Sequence, residues 1–150
     1  MGITTNIYDR LFSILDELTT CSAKRYYEQA AHDPALAPVA VAMPLSETHD
    51  SQRSGLGVGR ETDTCIIRVF LGDPNQKLPG QSIQLRAEAV IDELRPMLLK
   101  RTRLENSSGA RLDYISQSMY QGYSIAWREI NAYIDFRLLI VHVADVNLGT

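Results

Sequence analysis

The 150-residue chain has no apolar stretch approaching the ~20 residues that a bilayer-spanning helix needs, so no helical membrane anchor is expected. Its N-terminus also lacks the basic start and apolar run of a secretion signal. Cysteine is scarce: Cys21 and Cys65 are far apart and have none of the paired spacings of a zinc site or redox dithiol. A reducing compartment fits this usage, and pairing between the two is left open. Positive charge is not in excess, since 15 Lys and Arg face 18 Asp and Glu for a formal net charge of -3. Affinity for a phosphate backbone comes largely from clustered Lys and Arg, so tight DNA binding is not expected. Histidine is equally sparse, and no two of His32, His49 and His142 have the spacing that sets a pair of imidazoles on one helix or strand face.

What the chain does have is the composition of an ordinary globular domain, 45% hydrophobic and 22% charged. A chain of this length buries roughly 70% of the surface it exposes when unfolded, enough for one core, and a single domain over residues 1–150 is expected. Ile7, Leu11, Ile14, Leu15 and Leu18 recur at three- and four-residue steps, which predicts a helix from Asn6 to Leu18 with Thr5 or Asn6 as its cap and Asp9 in its first turn. Arg25, Tyr26 and Tyr27 are read as a short strand, and Val39–Met43, between proline interruptions, as another. From Ser46 to Asp63 there is almost no apolar periodicity, which predicts a long flexible loop or the tip of a long hairpin.

A clear strand follows over Thr64–Gly72, with Cys65, Ile67, Val69 and Leu71 on one face. Its other face is also largely apolar, which places it centrally. Ile83, Ala87, Val90, Ile91, Leu94 and Leu98 then trace one face of a second helix that Pro96 is expected to kink or end. The last third carries strands over Arg111–Ser124 and Ile130–Val143, expected to pair antiparallel, with a helical turn over Ser124–Glu129 as the alternative connection. In the second strand Ile130, Ala132, Ile134, Phe136, Leu138 and Ile140 share the apolar side. The fold class expected is α/β of the α+β kind: a central mixed, largely antiparallel sheet packed against two main helices, with a long flexible loop or hairpin.

Motifs for chemistry are thin. Glu47, His49 and Asp50 could hold a divalent ion or act as acid and base, but polar loops commonly contain such residues. Gly55, Gly57 and Gly59 lack the following helix and third glycine of a phosphate cradle. Neither cysteine has a nucleophile's sequence context, and Cys65 lies on an apolar strand face. Lys100, Arg101 and Arg103 follow the second helix, where cations complement the negative end of its dipole. Trp127, Tyr120, Tyr123 and Tyr133 could stack bases, yet aromatics on paired strands more often pack across strands or anchor subunit interfaces. No catalytic residue, cofactor or metal is expected.

The segments NIYDRLFSILDEL, APVAVAMP, DTCIIRVFLG, IQLRAEAVIDELRPML and AYIDFRLLIVHV, taken in order, resemble the phage tail terminator family of tail-completion and neck proteins over nearly the whole chain. The likeness is one of element order and local character. It implies a structural virion protein at the tail-neck junction, assembled in the host cytoplasm, whose copies form a ring, typically a hexamer. Its implied partners are other copies of the chain, the tail tube protein and a neck or head-completion protein, with DNA only passing through the lumen and no membrane involved. Glu47, Arg53, Arg60 and Glu61 would then belong to an assembly loop of net negative charge. The alternatives are a small enzyme or ligand-binding domain with an unrecognised site, and a head-closure or neck adaptor.

Overall fold

In a computed structural model of the chain, the described residues are 2–48, 60–75 and 81–143. The fold is α+β. The elements run α1 (Ile3–Leu15), β1 (Ser22–Ala23), two short 3-10 turns (Gln29–His32 and Pro34–Leu36), β2 (Val39–Ala42), β3 (Ser46–Thr48), β4 (Arg60–Gly72), α2 (Gln81–Lys100), β5 (Ile115–Ala126) and β6 (Ala132–Val143). The strands form one six-stranded sheet ordered β1-β2-β4-β6-β5, with β3 also paired to β4. Among the described residues only β1 and β2 run parallel; the other pairings are antiparallel. Among the described residues no helix is long and apolar enough to cross a membrane.

Strand alternation sets the core. Cys65, Ile67, Val69 and Leu71 of β4 and Ala132, Ile134, Phe136, Leu138 and Ile140 of β6 are buried on the face that meets both helices. Each helix contributes a stripe at helical spacing: Ile3, Ile7, Leu11, Ile14 and Leu15 from α1, and Ile83, Ala87, Val90, Leu94 and Leu98 from α2. As expected, β4 is central, and β5 and β6 pair antiparallel.

Several expectations are corrected. The first helix starts at Ile3 behind Gly2, with no side-chain cap and no acid in its first turn, so neither Thr5 nor Asn6 caps it. The extra turn buries Ile3, worth about 1.5–3 kcal/mol, which outweighs the ~1 kcal/mol of a typical cap. The helix ends at Leu15, and Leu18 reaches the core from a following turn held by Leu18 N–H donating to Leu15 O. Arg25–Tyr27 is not a strand: the Glu28 carboxylate accepts the Arg25 amide at 2.6 Å and folds the chain into a turn after β1.

Pro96 does not end α2, which continues to Lys100; it lies on the exposed side, where a carbonyl lacking its amide partner can take water. Ile130 is 74% exposed and precedes β6, because the chain is still turning there and the Asn131 side chain accepts the Gly72 amide at 2.9 Å. Ser124–Ala126 extends β5, so no helical turn forms in that segment. Of the two readings of Ser46–Asp63 the hairpin is supported, with its legs inside that segment, since Ser46–Thr48 pairs with Thr62–Thr64. Residues 49–59, including His49, Asp50, Arg53 and the three glycines, lie outside the described residues.

Polar latches help hold the helices to the rest. Arg101 donates two hydrogen bonds to the Glu17 carboxylate, at 2.6 and 2.7 Å. Glu93 of α2 accepts from the amides and hydroxyls of both Thr19 and Thr20. Arg10 of α1 donates to the Leu104 and Ala110 carbonyls at 2.8 and 2.7 Å, bracing the connection into β5.

Candidate assembly surface

The face of the sheet turned away from the helices is covered at one end by described residues. Phe70, Val39 and Val41 point outward near Gly72 and form a second small cluster with Ala31 of the first 3-10 turn, with Met43 and Tyr133 packed against it. Toward the hairpin this cluster does not extend among the described residues. There the register sets Ile66 beside Arg137 and Met119 beside Leu139, and all but the exposed Arg137 are half-buried. Val141, one step further along β6, continues the same strip beside Gln117.

Charge on this face is partly spent internally. Arg68 makes a bidentate pair with Asp135, at 2.8 and 3.0 Å, and its guanidinium carbon lies 3.9 Å from the Tyr133 ring centroid. Hydrogen bonding to Asp135 raises the Arg68 pKa further above its already high value, so Arg68 stays charged and committed. Arg137 faces solvent beside a shallow depression lined by Ile66, Tyr123 and Ser124.

The lateral margins differ in character. Along one side β5 is the edge strand, with β6 its one strand partner among the described residues, and its other margin is engaged at Ser118, whose amide donates to the Thr102 carbonyl. Tyr123, Trp127 and Ile130, on β5 and the turn after it, are 44%, 53% and 74% exposed. On the opposite side, next to β1, Tyr26 and Tyr27 are exposed, Tyr27 at 73%. The expectation that the aromatics of the last third pack or anchor interfaces is met in its packing part by Tyr133, which sits edge-on to Phe70 at 6.1 Å, and by Tyr123, 5.8 Å from Phe136.

Within the protein, at the hairpin root, His142 and Asp63 form a buried pair with Nε2 2.9 Å from Oδ2. The other ring nitrogen, Nδ1, lies 2.7 Å from the Val143 carbonyl. Burial pushes the His142 pKa down, but the bond to Asp63, the carbonyl and the charges of Asp63 and Glu61 outweigh it and leave the pKa above the ordinary histidine value. With acceptors at both nitrogens, the imidazole is best satisfied as the doubly protonated cation.

Of the residues expected in an assembly loop, Glu47 lies exposed on β3, Arg60 exposed at the start of β4, and Glu61 half-buried on β4. The hairpin pairing brings Glu47 opposite Asp63, so these residues cluster at one end of the sheet. Asp63 itself is not a loop anion: it belongs to the core side and is committed to His142. Of the basic run, Arg101 is bound to Glu17 and Lys100 occupies the last turn of α2. Both cysteines are free, and burial pushes the Cys65 thiol to about 12 and the Cys21 thiol to about 11. Among the described residues no group of three His, Cys, Asp or Glu side chains gathers in metal-holding geometry.

Sequence reasoning missed the His142–Asp63 and Arg68–Asp135 pairs. Their partners are separated by 79 and 67 residues, so no local spacing marks them. A usable signal was present: Asp63 and His142 each continue an apolar alternation, Cys65–Leu71 and Ala132–Ile140, with one polar residue. Compared with known proteins, the chain matches no family model and no curated protein.

Proposed function

We propose that the chain is a tail terminator subunit, a structural virion protein whose copies close into a ring at the head-proximal end of a phage tail tube and join it to the neck. The observation that carries the reading is the outer face of the sheet, where the half-buried Ile66, Met119, Leu139 and Val141 make an apolar strip running onto the edge strand β5. Contiguous apolar surface bordered by polar residues marks protein contacts, and an edge strand supplies hydrogen-bonding groups for them. The resemblance in the sequence supplies the particular assembly, and the element order it implies agrees with the α+β fold.

In this reading the work is binding rather than catalysis. One surface meets the last ring of tube subunits and blocks further addition, another meets the neck protein, and DNA passes through the lumen without being gripped, in keeping with the net charge of -3. Glu47, Arg60 and Glu61, gathered at the hairpin end, belong to the contacts with neighbouring subunits or tube, together with Arg53. Negative-stain electron microscopy of the purified chain tests the reading. Closed rings with a central channel are expected; open filaments or isolated subunits at every concentration would contradict it.

A further inference from the structure

On the β1 side of the molecule, α1 and the turn after β1 enclose a cleft of about 270 Å³. Its walls are Tyr8, Phe12, Tyr26 and Tyr27, and its cations are Lys24 and Arg25. Arg25 is already engaged: it bonds Asp9 at 2.8 Å and lies 4.3 Å from the Phe12 ring centroid. Lys24 is half-buried, and its ammonium has no anionic partner among the described residues. An aromatic-walled recess on an acidic protein thus carries one uncompensated positive charge. Its volume lies below the usual range of about 300–1,000 Å³ for small-molecule sites, which suits a protruding side chain better than a metabolite.

The far side of the sheet offers what such a recess would take. The turn between β5 and β6 projects Trp127 and Ile130, 53% and 74% exposed, with the exposed Arg128 and Glu129 between them. Glu129 is exposed and its carboxylate has no cationic partner among the described residues. The turn is braced from behind, since its backbone carbonyl at Glu129 accepts from the Asn75 side chain at 3.5 Å and Asn131 accepts from Gly72. The turn is neutral overall, since Arg128 adjoins Glu129, but its apolar anchor and the Glu129 carboxylate complement an aromatic recess and its Lys24 ammonium. Trp is also among the residues that most often dominate interface energetics.

We propose that the Trp127–Ile130 turn of one copy docks into the Tyr8–Phe12–Tyr27 cleft of the next, with Glu129 meeting Lys24. This rests on the ring reading and names its subunit contact. Turn and cleft lie by opposite margins of the sheet order β1-β2-β4-β6-β5, so one copy uses both at once. The contact is therefore head-to-tail, the kind that generates rings or open helices rather than two-fold dimers.

Charge reversal tests it on the intact chain, read by native mass spectrometry. Lys24→Glu alone and Glu129→Lys alone should each deplete the assembled state, because each places like charges across every contact. The double variant, or a one-to-one mixture of the two single variants, should restore it, because opposite charges again meet at every contact. Trp127→Ala should weaken assembly about thirty-fold or more, as loss of an interface hot spot does, while its melting temperature stays near wild type because the side chain is largely exposed. If wild type assembles and the single variants and Trp127→Ala assemble equally well, this pairing is wrong although the ring reading stands. If wild type is monomeric throughout, the ring reading itself fails. Loss without rescue in either the double variant or the mixture also overturns the pairing.

Discussion

Asp63 of β4 and His142 of β6 hold each other at the root of the β3–β4 hairpin, with 2.9 Å between Oδ2 and Nε2 and a carbonyl behind the ring at 2.7 Å. A neutral imidazole has one proton to give and two acceptors to satisfy, so it leaves a lone pair facing either Asp63 or Val143. Only the cation avoids this. The pair therefore makes the hairpin end of the sheet sensitive to pH from within the core.

Because the folded-state pKa of His142 is raised above the unfolded value, its stabilisation is complete below about 6.5 and is lost as pH rises through the folded value. Denaturant unfolding should accordingly give a stability that declines as pH rises above about 6.5. Asp63→Ala, which leaves a buried histidine without its anion, should cost about 3–5 kcal/mol at pH 6 and flatten that decline. A wild-type stability that rises from pH 6 to 8, or an unchanged slope in Asp63→Ala, would count against the pair's role.

Glu93 supplies a dependence of opposite sign. Burial pushes its carboxyl up, but the hydroxyls and amides of Thr19 and Thr20 pull it down to about 2. Its contribution is present above the ordinary carboxylate value of about 4.5 and disappears as pH falls toward 2. Glu93→Gln should therefore melt below wild type at neutral pH and approach it in acid. A gap that stays constant down to pH 3 would contradict this.

Neighbouring residues on β6 separate core from surface. Phe136 is fully buried, and Phe136→Ala should cost about 3–5 kcal/mol through lost transfer energy and a residual cavity. Arg137 is exposed on the outer face, so Arg137→Ala should change the isolated fold by no more than about 0.5 kcal/mol. Equal losses in urea titration would mean that the outer face is covered there.

The same contrast shows which features were legible in the sequence. Period-two alternation in the strand containing Phe136 named the inward face correctly, because that strand is apolar on the side that meets the helices, and the apolar character of both faces of Thr64–Gly72 marked it as central. Helix stripes were legible for the same reason. Ends were less so: Ile3 lengthens α1 because tertiary burial outweighs capping, and Pro96 fails to stop α2 because it falls on the exposed side. The polar pairs and the apolar strip of the outer face depend on which strands become neighbours, a long-range property that no window of the sequence contains.

Thiol chemistry gives an independent check on the core. With Cys65 buried and its pKa pushed to about 12, and Cys21 to about 11, the native protein should react slowly with a thiol reagent at pH 8. In denaturant both thiols should titrate at once. Rapid native labelling of Cys65 would show that the β4–β6 core opens readily, and fewer than two thiols in denaturant would indicate a disulfide.

Native mass spectrometry of the unmodified chain over a concentration series addresses the central claim most directly. Closed association predicts one dominant assembled species at an integer multiple of 16.8 kDa, six by the family resemblance, with no ladder of open intermediates. A chain that stays at 16.8 kDa at every concentration, or stops at a two-fold dimer, would contradict the account.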